Sequence, residues 1–246
     1  MNLKEKHYVG VDCHKDTIAC YINGKFKQQR NKNLDKQISV SDAAKLIKSN
    51  STIMIGGFLR CGSPTKVIEE LIKNQTNNLT LIANDTCVPE HDRGKLIVNK
   101  LVKKAIVSHI GTNPETVRQF NAKELDIELV PMGTLAERIR CGGAGLGGFL
   151  TPTGTGTLVA EGKTIIESEG KNFLLEKPLK ADVAIIYATK ADKYGNAFLV
   201  GTTRNFNMVM ATAAETVILE SDEISDEPLD PSEITIPGIF IDYIAV

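Results

Sequence analysis

The sequence predicts an α/β fold with a mainly parallel sheet. Short β-branched and apolar runs, which are typical of buried strands, alternate with helical patterns of about ten residues. The clearest run, Thr52–Ile55, leads into a glycine loop and then into a segment with one apolar helical stripe. The chain has 246 residues, 42% hydrophobic and 24% charged, which suits one ordinary α/β domain. Together these features indicate parallel βαβ units.

The predicted elements follow one another in order along the chain. A short helix within residues 38–47 is expected to be capped by Ser39 or Ser41. Strands are predicted at 52–55, 79–83, 105–109, 125–130, 182–187, 197–200, 217–220 and 239–244. Helices are predicted at 64–74 and 114–120, with a short helix or loop at 94–102 and a helix end at 212–215. A β-hairpin is predicted at 163–176, the glycine-rich stretch 141–156 is expected to pack backbone closely, and the acidic tail is expected to be a solvated loop.

The glycine loop after Thr52–Ile55 is the first candidate site. Its three glycines let the backbone turn sharply and lie close to a ligand. Ser63 is a suitable N-cap and Pro64 a suitable first residue for the following helix. Such loops bind phosphates in α/β proteins, because free N–H groups and the helix dipole point outward. A tight turn without a ligand is the alternative.

The loop is not a nucleotide-triphosphate P-loop. Gly57 and Gly62 have the required spacing, but Ser63 stands where the lysine is needed. Without that charge nothing neutralises a β- or γ-phosphate, so an NTPase is excluded. The dinucleotide fingerprint with three spaced glycines is also absent from the loop.

Composition excludes several classes of protein. The net charge is −1 and no basic block indicates nucleic acid as a partner. Five cysteines without a close pair argue against a disulfide framework and favour reduced thiols in a cytoplasm. No apolar run approaches the roughly 18 residues that a membrane helix needs, and the N-terminus lacks the apolar core of a signal peptide.

Residues 1–36 are interpreted as an N-terminal extension. Strands are predicted at 8–12 and 17–24, with a turn at Asn23 and Gly24 and a polar linker at 25–36. The piece is similar to the opening strands of an RNase H-like domain, in which Asp12 would bind a metal, so a metal-dependent nucleic-acid enzyme fragment stays an alternative. The carboxylates of later strands are missing, and Cys13 with His14 makes no zinc site, which favours an appendage or fused remnant.

The remainder of the chain, residues 37–246, resembles the α subunits of family I CoA-transferases (3-oxoacid CoA-transferases). The resemblance starts in IMIGGFLRCGSP at 53–64 and continues through HIGTNPE at 109–115, GTLAERIR at 133–140, GGAG at 142–145, TPTG at 151–154 and TRNFN at 203–207. It implies the three-layer, NagB/RpiA-like fold of that family, with the hairpin as an insertion. It also implies coenzyme A as a substrate, with acetate, butyrate or acetoacetate as carboxylates and no metal or permanently bound cofactor.

The resemblance further implies that the catalytic glutamate lies on a separate β subunit, in an α2β2 assembly. In the family, a glutamate carboxylate attacks the acyl-CoA thioester to give an anhydride and then a glutamyl-CoA thioester. The Ser-Glu-Asn-Gly motif that carries it is not present here; Ser168-Glu169-Gly170 is the nearest match. Glu137 and Glu115 are alternatives for a nucleophile in this chain, although Glu137 lies within a predicted helix beside Arg138 and is interpreted as structural.

Site residues follow from the same resemblance. The loop is expected to contact coenzyme A through Gly56, Gly57, Phe58, Leu59, Arg60, Cys61 and Gly62. Asn84, Met132 and Gly133 are expected near the acyl group.

Met132 stands where the family has a glutamine that donates to the thioester oxygen, and a thioether cannot donate. Loss of one such donor costs on the order of 10²–10³ in rate. Thr134 is one alternative donor, and a non-catalytic CoA-binding protein is the alternative function.

Overall fold

The structure is a computed structural model that describes the backbone of residues 12–14, 17–22 and 25–30 and the whole of residues 36–246. The strands are β1 Asp12–His14, β2 Thr17–Ile22, β3 Lys25–Arg30, β4 Gln37–Ile38, β5 Thr52–Ile55, β6 Leu79–Ile82, β7 Val102–Val107, β8 Asp126–Leu129, β9 Phe149–Thr151, β10 Ile165–Ser168, β11 Lys171–Glu176, β12 Ala181–Asp192, β13 Ala197–Phe198, β14 Ala214–Ser225 and β15 Tyr243–Ala245. The helices are α1 Val40–Lys45, α2 Thr65–Lys73, α3 Asp92–Val98, α4 Pro114–Asn121, α5 Met132–Ala144 and α6 Asn205–Met210, with short 3-10 turns at Leu158–Ala160, Gly201–Arg204 and Gly238–Phe240.

The central sheet of the described residues has nine strands. Their order is β4-β15-β14-β12-β5-β6-β7-β8, with β13 attached to β12. Every pairing along that order is parallel, and only β13 runs antiparallel to its neighbour. The prediction of a mainly parallel sheet is therefore confirmed.

Helices cover both faces of this sheet. On β5, Ile53 and Ile55 belong to one apolar cluster and Met54 to the other, because successive strand side chains point to opposite faces. The first cluster contains buried side chains of α1, α2 and α3, and the second contains those of α5 and α6. The fold thus has the three layers that the resemblance implied.

The predicted hairpin is present and belongs to a small antiparallel sheet with the order β10-β11-β9. Glu169 and Gly170 form its turn, with φ angles of 53° and 73°. Positive φ at both central residues is what a tight two-residue hairpin requires. Ser39 also caps α1 as predicted, accepting a hydrogen bond from Asp42 N at 3.0 Å.

The prediction that Ser63 caps α2 is wrong. The helix starts one residue later than predicted, and the Ser63 hydroxyl is buried without a hydrogen-bond partner among the described residues. The Glu220 carboxylate takes the capping role instead, accepting from Lys66 N at 2.9 Å and Val67 N at 3.1 Å. A distant strand supplies the acceptor that local sequence was expected to supply.

Several boundaries in the C-terminal half also differ from the predictions. Residues 212–215 do not end a helix: α6 ends at Met210 and β14 starts at Ala214. Because β14 continues to Ser225, the first part of the acidic stretch is strand rather than solvated loop, and Glu220 is buried. The last strand is shorter than predicted, since a 3-10 turn occupies Gly238–Phe240.

The glycine-rich stretch begins inside helix α5. A Cβ on Gly142 would stand 1.9 Å from the carbonyl oxygen of Leu179, and one on Gly143 would stand 2.1 Å from the Thr212 hydroxyl. These glycines therefore allow close packing, as expected, but within a helix. The helix then ends at Gly145 in the left-handed conformation, with φ of 71°.

The N-terminal strands form a separate antiparallel sheet, in the order β1-β2-β3. β2 lies within the predicted strand at 17–24. The prediction of a linker at 25–36 is wrong for its first part, because β3 occupies Lys25–Arg30. Residues 8–11, the turn at 23–24 and the Asp12, Cys13 and His14 side chains lie outside what the structure describes.

Lys36 belongs to the main domain, because it is buried and donates to Gly238 O at 2.6 Å and Ile241 O at 2.7 Å.

No helix of the described residues is long and apolar enough to cross a membrane. The same residues contain no group of three or more His, Cys, Asp or Glu side chains arranged to hold a metal ion.

Candidate active site

A cavity of about 350 Å³ opens at the carboxyl edge of the parallel sheet. This edge is where α/β proteins usually bind ligands. The loops after three adjacent strands and the start of α5 surround the cavity. Its lining residues are Phe58 and Leu59 after β5, Asn84 and Asp85 after β6, Ser108, His109 and Thr112 after β7, and Met132 on α5.

The glycine loop presents two apolar side chains at this cavity. Phe58 and Cys61 close a tight turn, with N–H to carbonyl bonds of 3.0 Å and 2.9 Å between them. Gly57 has φ of 109°, a value that favours glycine, and Leu59 at the tip has φ of 48°. The side chains of Phe58 and Leu59 remain 40% and 36% exposed, so the loop offers them to a ligand or partner.

Two asparagines at the start of α6 hold the base of the loop. Asn205 accepts from Gly57 N at 3.1 Å through Oδ1 and donates to Cys61 O at 3.1 Å through Nδ2. The Asn207 Nδ2 donates to Gly62 O at 2.9 Å. Both asparagines belong to the TRNFN motif, which was singled out only by resemblance. Their position shows that the motif shapes the loop.

A buried ion pair holds the tip of the loop. Asp85 accepts from Leu59 N at 2.8 Å through Oδ2 and from Arg93 Nη2 at 2.7 Å through Oδ1. Arg93 is fully buried and its Nε also donates to Asp85 O at 2.7 Å. Burial raises the pKa of the Asp85 carboxyl, but the Arg93 charge and the surrounding N–H donors outweigh it and leave that pKa below its usual value. Asp85 is therefore a carboxylate that fixes the backbone.

The expected phosphate cradle of free N–H groups is not what the loop forms. Five of its N–H groups donate to protein oxygens, those of Gly56, Gly57, Phe58, Leu59 and Cys61. At the start of α2, the Glu220 carboxylate occupies the helix N-terminus. The Lys66 and Val67 N–H groups are therefore not free for a phosphate, and the predicted contact of this loop with coenzyme A stays a prediction. The loop offers its side chains instead.

The cavity brings together some of the predicted site residues and not others. Phe58, Leu59, Asn84 and Met132 line it, and Met132 is 45% exposed. The rest of the predicted loop does not line it: Gly56, Gly57, Arg60, Cys61 and Gly62. Sequence reasoning missed Asp85, Ser108, His109, Thr112 and Arg93 as parts of the site. The position of Ser108 and His109 at the end of a predicted strand was the signal available.

A second, smaller cavity of about 280 Å³ lies between α5 and the small sheet. Gly133 and Thr134 line it together with Glu137, Phe149, Thr151 and Thr153. Gly133 and the suggested alternative donor Thr134 are therefore lining residues of this cavity, whereas Met132 lines the first. Arg138 of α5 donates to Lys177 O, next to β11 of the small sheet, at 2.9 Å and to Glu128 of β8 at 2.7 Å.

None of the three candidate glutamates lines the first cavity. Glu115 is paired with Arg118 at 2.8 Å, and this hydrogen bond lowers its pKa to about 2. Glu137 is paired with Arg140, and this hydrogen bond also lowers the pKa of its carboxyl. Glu169 is exposed at the hairpin turn. These contacts indicate structural or solvated carboxylates.

Comparison with known proteins decides the family. A sequence model described as Coenzyme A transferase matches residues 37–246. Over 210 residues the chain is 51% identical to the acetoacetyl-CoA:acetate/butyrate CoA transferase alpha subunit of Clostridium acetobutylicum, covering 85% of this chain and 96% of the relative. The chain belongs to the coenzyme A transferase family. This coenzyme A transferase is also 49% identical over 212 residues to the acetate CoA-transferase subunit alpha of Escherichia coli K12, covering 86% and 96% of the two chains.

Solved structures share the fold of this coenzyme A transferase. The acyl-CoA transferase YdiF of E. coli O157:H7, in its thioester complex with CoA, has a TM-score of 0.76 at 22% identity. That match covers 85% of this chain but only 46% of YdiF, so the chain spans about half of that protein. Glutaconate coenzyme A-transferase from Acidaminococcus fermentans also gives 0.76 at 22% identity, covering 86% of this chain and 75% of the other.

Proposed function

We propose that this chain is the α subunit of a heteromeric CoA-transferase that moves CoA between short-chain acyl-CoA and carboxylates. Acetate, butyrate and acetoacetate are the proposed carboxylates. The observation that carries the proposal is near-50% identity to two named α subunits, over 96% of the length of each. A cytoplasmic location is part of the same proposal.

The cavity suits a small acyl group. A volume of about 350 Å³ is near the lower end of the range for ligand pockets. The side chains of Phe58, Leu59 and Met132 give it apolar walls, and Asn84, Ser108, His109 and Thr112 add polar groups. An apolar cavity with a few polar groups is what a short alkyl chain ending in a carbonyl needs. We propose that the loop Gly56–Gly62 contacts CoA mainly through its side chains.

The cavity has no free carboxylate of this chain among its lining residues, and this supports a catalytic nucleophile on a partner subunit. Asp85 is the one acid among the lining residues, and its oxygens already accept from Leu59 N, Asn84 Nδ2, Cys87 N and Arg93 Nη2. A glutamate of a β subunit would instead attack the thioester carbon, forming a C–O bond while the C–S bond breaks and CoA thiolate leaves. The thiolate then attacks the glutamyl carbonyl, releasing the carboxylate and leaving a glutamyl-CoA thioester.

The test is acyl exchange between acetyl-CoA and butyrate or acetoacetate. The chain is assayed alone and after co-expression with the β subunit that accompanies the Clostridium relative, and light scattering measures whether an α2β2 assembly forms. Exchange only by the mixture is the expected result. Exchange by the chain alone would contradict the proposal and return attention to Glu137 and Glu169.

Met132 favours a second candidate, a non-catalytic CoA-binding protein. Its exposed thioether stands at the cavity and donates no hydrogen bond. This candidate predicts CoA binding and β-subunit assembly without exchange. Met132→Gln is then expected to create activity, whereas under the first proposal it raises or preserves a rate that is already measurable.

A further inference from the structure

The polar side chains around the cavity differ in whether their hydrogen-bond donors are free. Ser108 Oγ donates to Asn84 O at 2.8 Å, and Thr112 Oγ1 donates to Cys87 O at 2.9 Å. Asn84 is 1% exposed and its Nδ2 donates to Asp85 Oδ2 at 2.7 Å. The two hydroxyl donors are therefore already used by the protein, and Asn84 is buried with one of its two amide N–H groups committed.

His109 is the exception among the lining residues. Its side chain is exposed and makes no hydrogen bond to any residue that the structure describes. A neutral imidazole carries one N–H donor and an imidazolium carries two, so a donor is present in either state. Among the side chains that line the cavity, the exposed imidazole of His109 therefore offers an N–H donor that no described residue accepts.

The backbone of His109 is fixed at the carboxyl edge of the sheet. It pairs with Asp85 in a parallel bridge, and its carbonyl accepts from Thr86 N at 3.3 Å. Gly111 leaves room for the ring, because a Cβ there would stand 3.1 Å from His109 Cε1 and 3.3 Å from Nε2. The backbone and the adjacent glycine thus restrict where the imidazole lies.

We propose that the His109 N–H donates a hydrogen bond to the carbonyl or carboxylate oxygen of the short acyl group in the cavity. In this role it supplies the donor that the family resemblance expects from a glutamine at position 132. Thr134 is less suited, because it is buried and lines the other cavity. A positioned imidazole can polarise a carbonyl group. The inference rests on the proposed function, since it names a binding residue of the same site.

The experiment compares two variants of His109 in the αβ complex. His109→Phe keeps a ring of similar size without a donor, and His109→Gln keeps an amide donor. His91→Phe is the matched control, because His91 precedes α3 and does not line the cavity. Steady-state exchange gives kcat and KM, and calorimetry gives the affinity for butyryl-CoA without requiring turnover.

The expected result is a loss in kcat on the order of 10² for His109→Phe, with His109→Gln retaining much of the rate and His91→Phe unchanged. Met132→Gln is expected to restore most of the activity of His109→Phe, because one donor can replace the other. Unchanged turnover and unchanged butyryl-CoA affinity in His109→Phe would overturn the inference, as would equal losses in His109→Phe and His109→Gln. If the unmodified complex binds butyryl-CoA but transfers nothing, the proposed function fails, and weaker binding by His109→Phe still supports the His109 contact.

Discussion

At the residue scale, the buried pair Asp85–Arg93 has the largest expected effect on stability. Replacing Arg93 by Met leaves the Asp85 carboxylate buried without its charge partner. Removing one member of such a pair costs about 3–5 kcal/mol. We therefore expect Arg93→Met to lower the free energy of unfolding by about that amount, measured by chemical denaturation.

Arg118→Met is the control for this prediction. Arg118 is also paired with carboxylates, Glu115 and Glu124, but its side chain is 48% exposed. Exposed ion pairs contribute little to stability, because solvent screens their charges. Similar losses in the two variants would contradict the importance assigned to burial of the Asp85–Arg93 pair.

Glu220 gives a prediction about pH. Burial raises the pKa of its carboxyl above the usual 4.5, although the Lys66 and Val67 N–H groups act in the opposite direction. The folded state then keeps the proton over a range in which the unfolded chain has lost it. The stability from this group is complete below pH 4.5 and is lost as pH rises through the folded-state pKa.

The measurement compares the wild-type chain with Glu220→Gln, which does not titrate. The wild-type advantage in unfolding free energy, taken as wild type minus variant, should fall as pH rises from 4.5. Subtracting the variant removes the contributions of other carboxylates. A difference that grows with pH over this range would mean that capping of α2, and not burial, dominates the Glu220 pKa.

At the element scale, two of the three glycines in helix α5 have opposite expected effects on stability. Alanine at Gly142 would bring a Cβ against the Leu179 backbone, whereas alanine at Gly133 meets nothing within 4 Å. Overpacking costs about 1–3 kcal/mol, and replacing glycine by alanine in a helix gains up to about 1 kcal/mol. We expect Gly142→Ala to lower the thermal unfolding midpoint and Gly133→Ala to raise it slightly. If both variants raise it, α5 is not held as closely to Leu179 as described.

Elements whose determinants all lie within the segment itself could be predicted from the sequence. Thr52–Ile55 combines β-branched residues with a following glycine, and α1 has its own Ser39 cap. The start of α2 was mispredicted because its cap, Glu220, comes from a strand more than 150 residues away. The cavity was predicted only in part, because it too combines local features with contacts between distant parts of the chain. The loop and Asn84 follow strands that the sequence predicts. Which donors are already used, and therefore why His109 differs, depends on contacts between the loops after β5, β6 and β7, which only the structure shows.

At the scale of the whole molecule, Lys36 joins the first strand of the central sheet to the C-terminal region. Its buried Nζ donates to Gly238 O and Ile241 O. Hydrogen bonds to a charged group contribute about 1.5–3 kcal/mol each. Lys36→Met is therefore expected to lower the unfolding free energy by at least about 2 kcal/mol, measured by chemical denaturation. Lys45→Met is the control, since the Lys45 side chain is 64% exposed. Equal effects of the two changes would contradict the anchoring role of Lys36.

The anchoring of the glycine loop by Asn205 has a consequence for biosynthesis. Gly57 and Asn205 are 148 residues apart in the chain. At a translation rate of about 5–20 residues per second, roughly 7–30 s separate the synthesis of the loop from that of its anchor. During that interval the nascent chain carries Phe58 and Leu59 without the contact that shapes their turn. While the N-terminal half is still bound to the ribosome, chaperones can therefore reach the Phe58 and Leu59 side chains. This interval ends when the C-terminal half has left the exit tunnel and Asn205 can bind the loop.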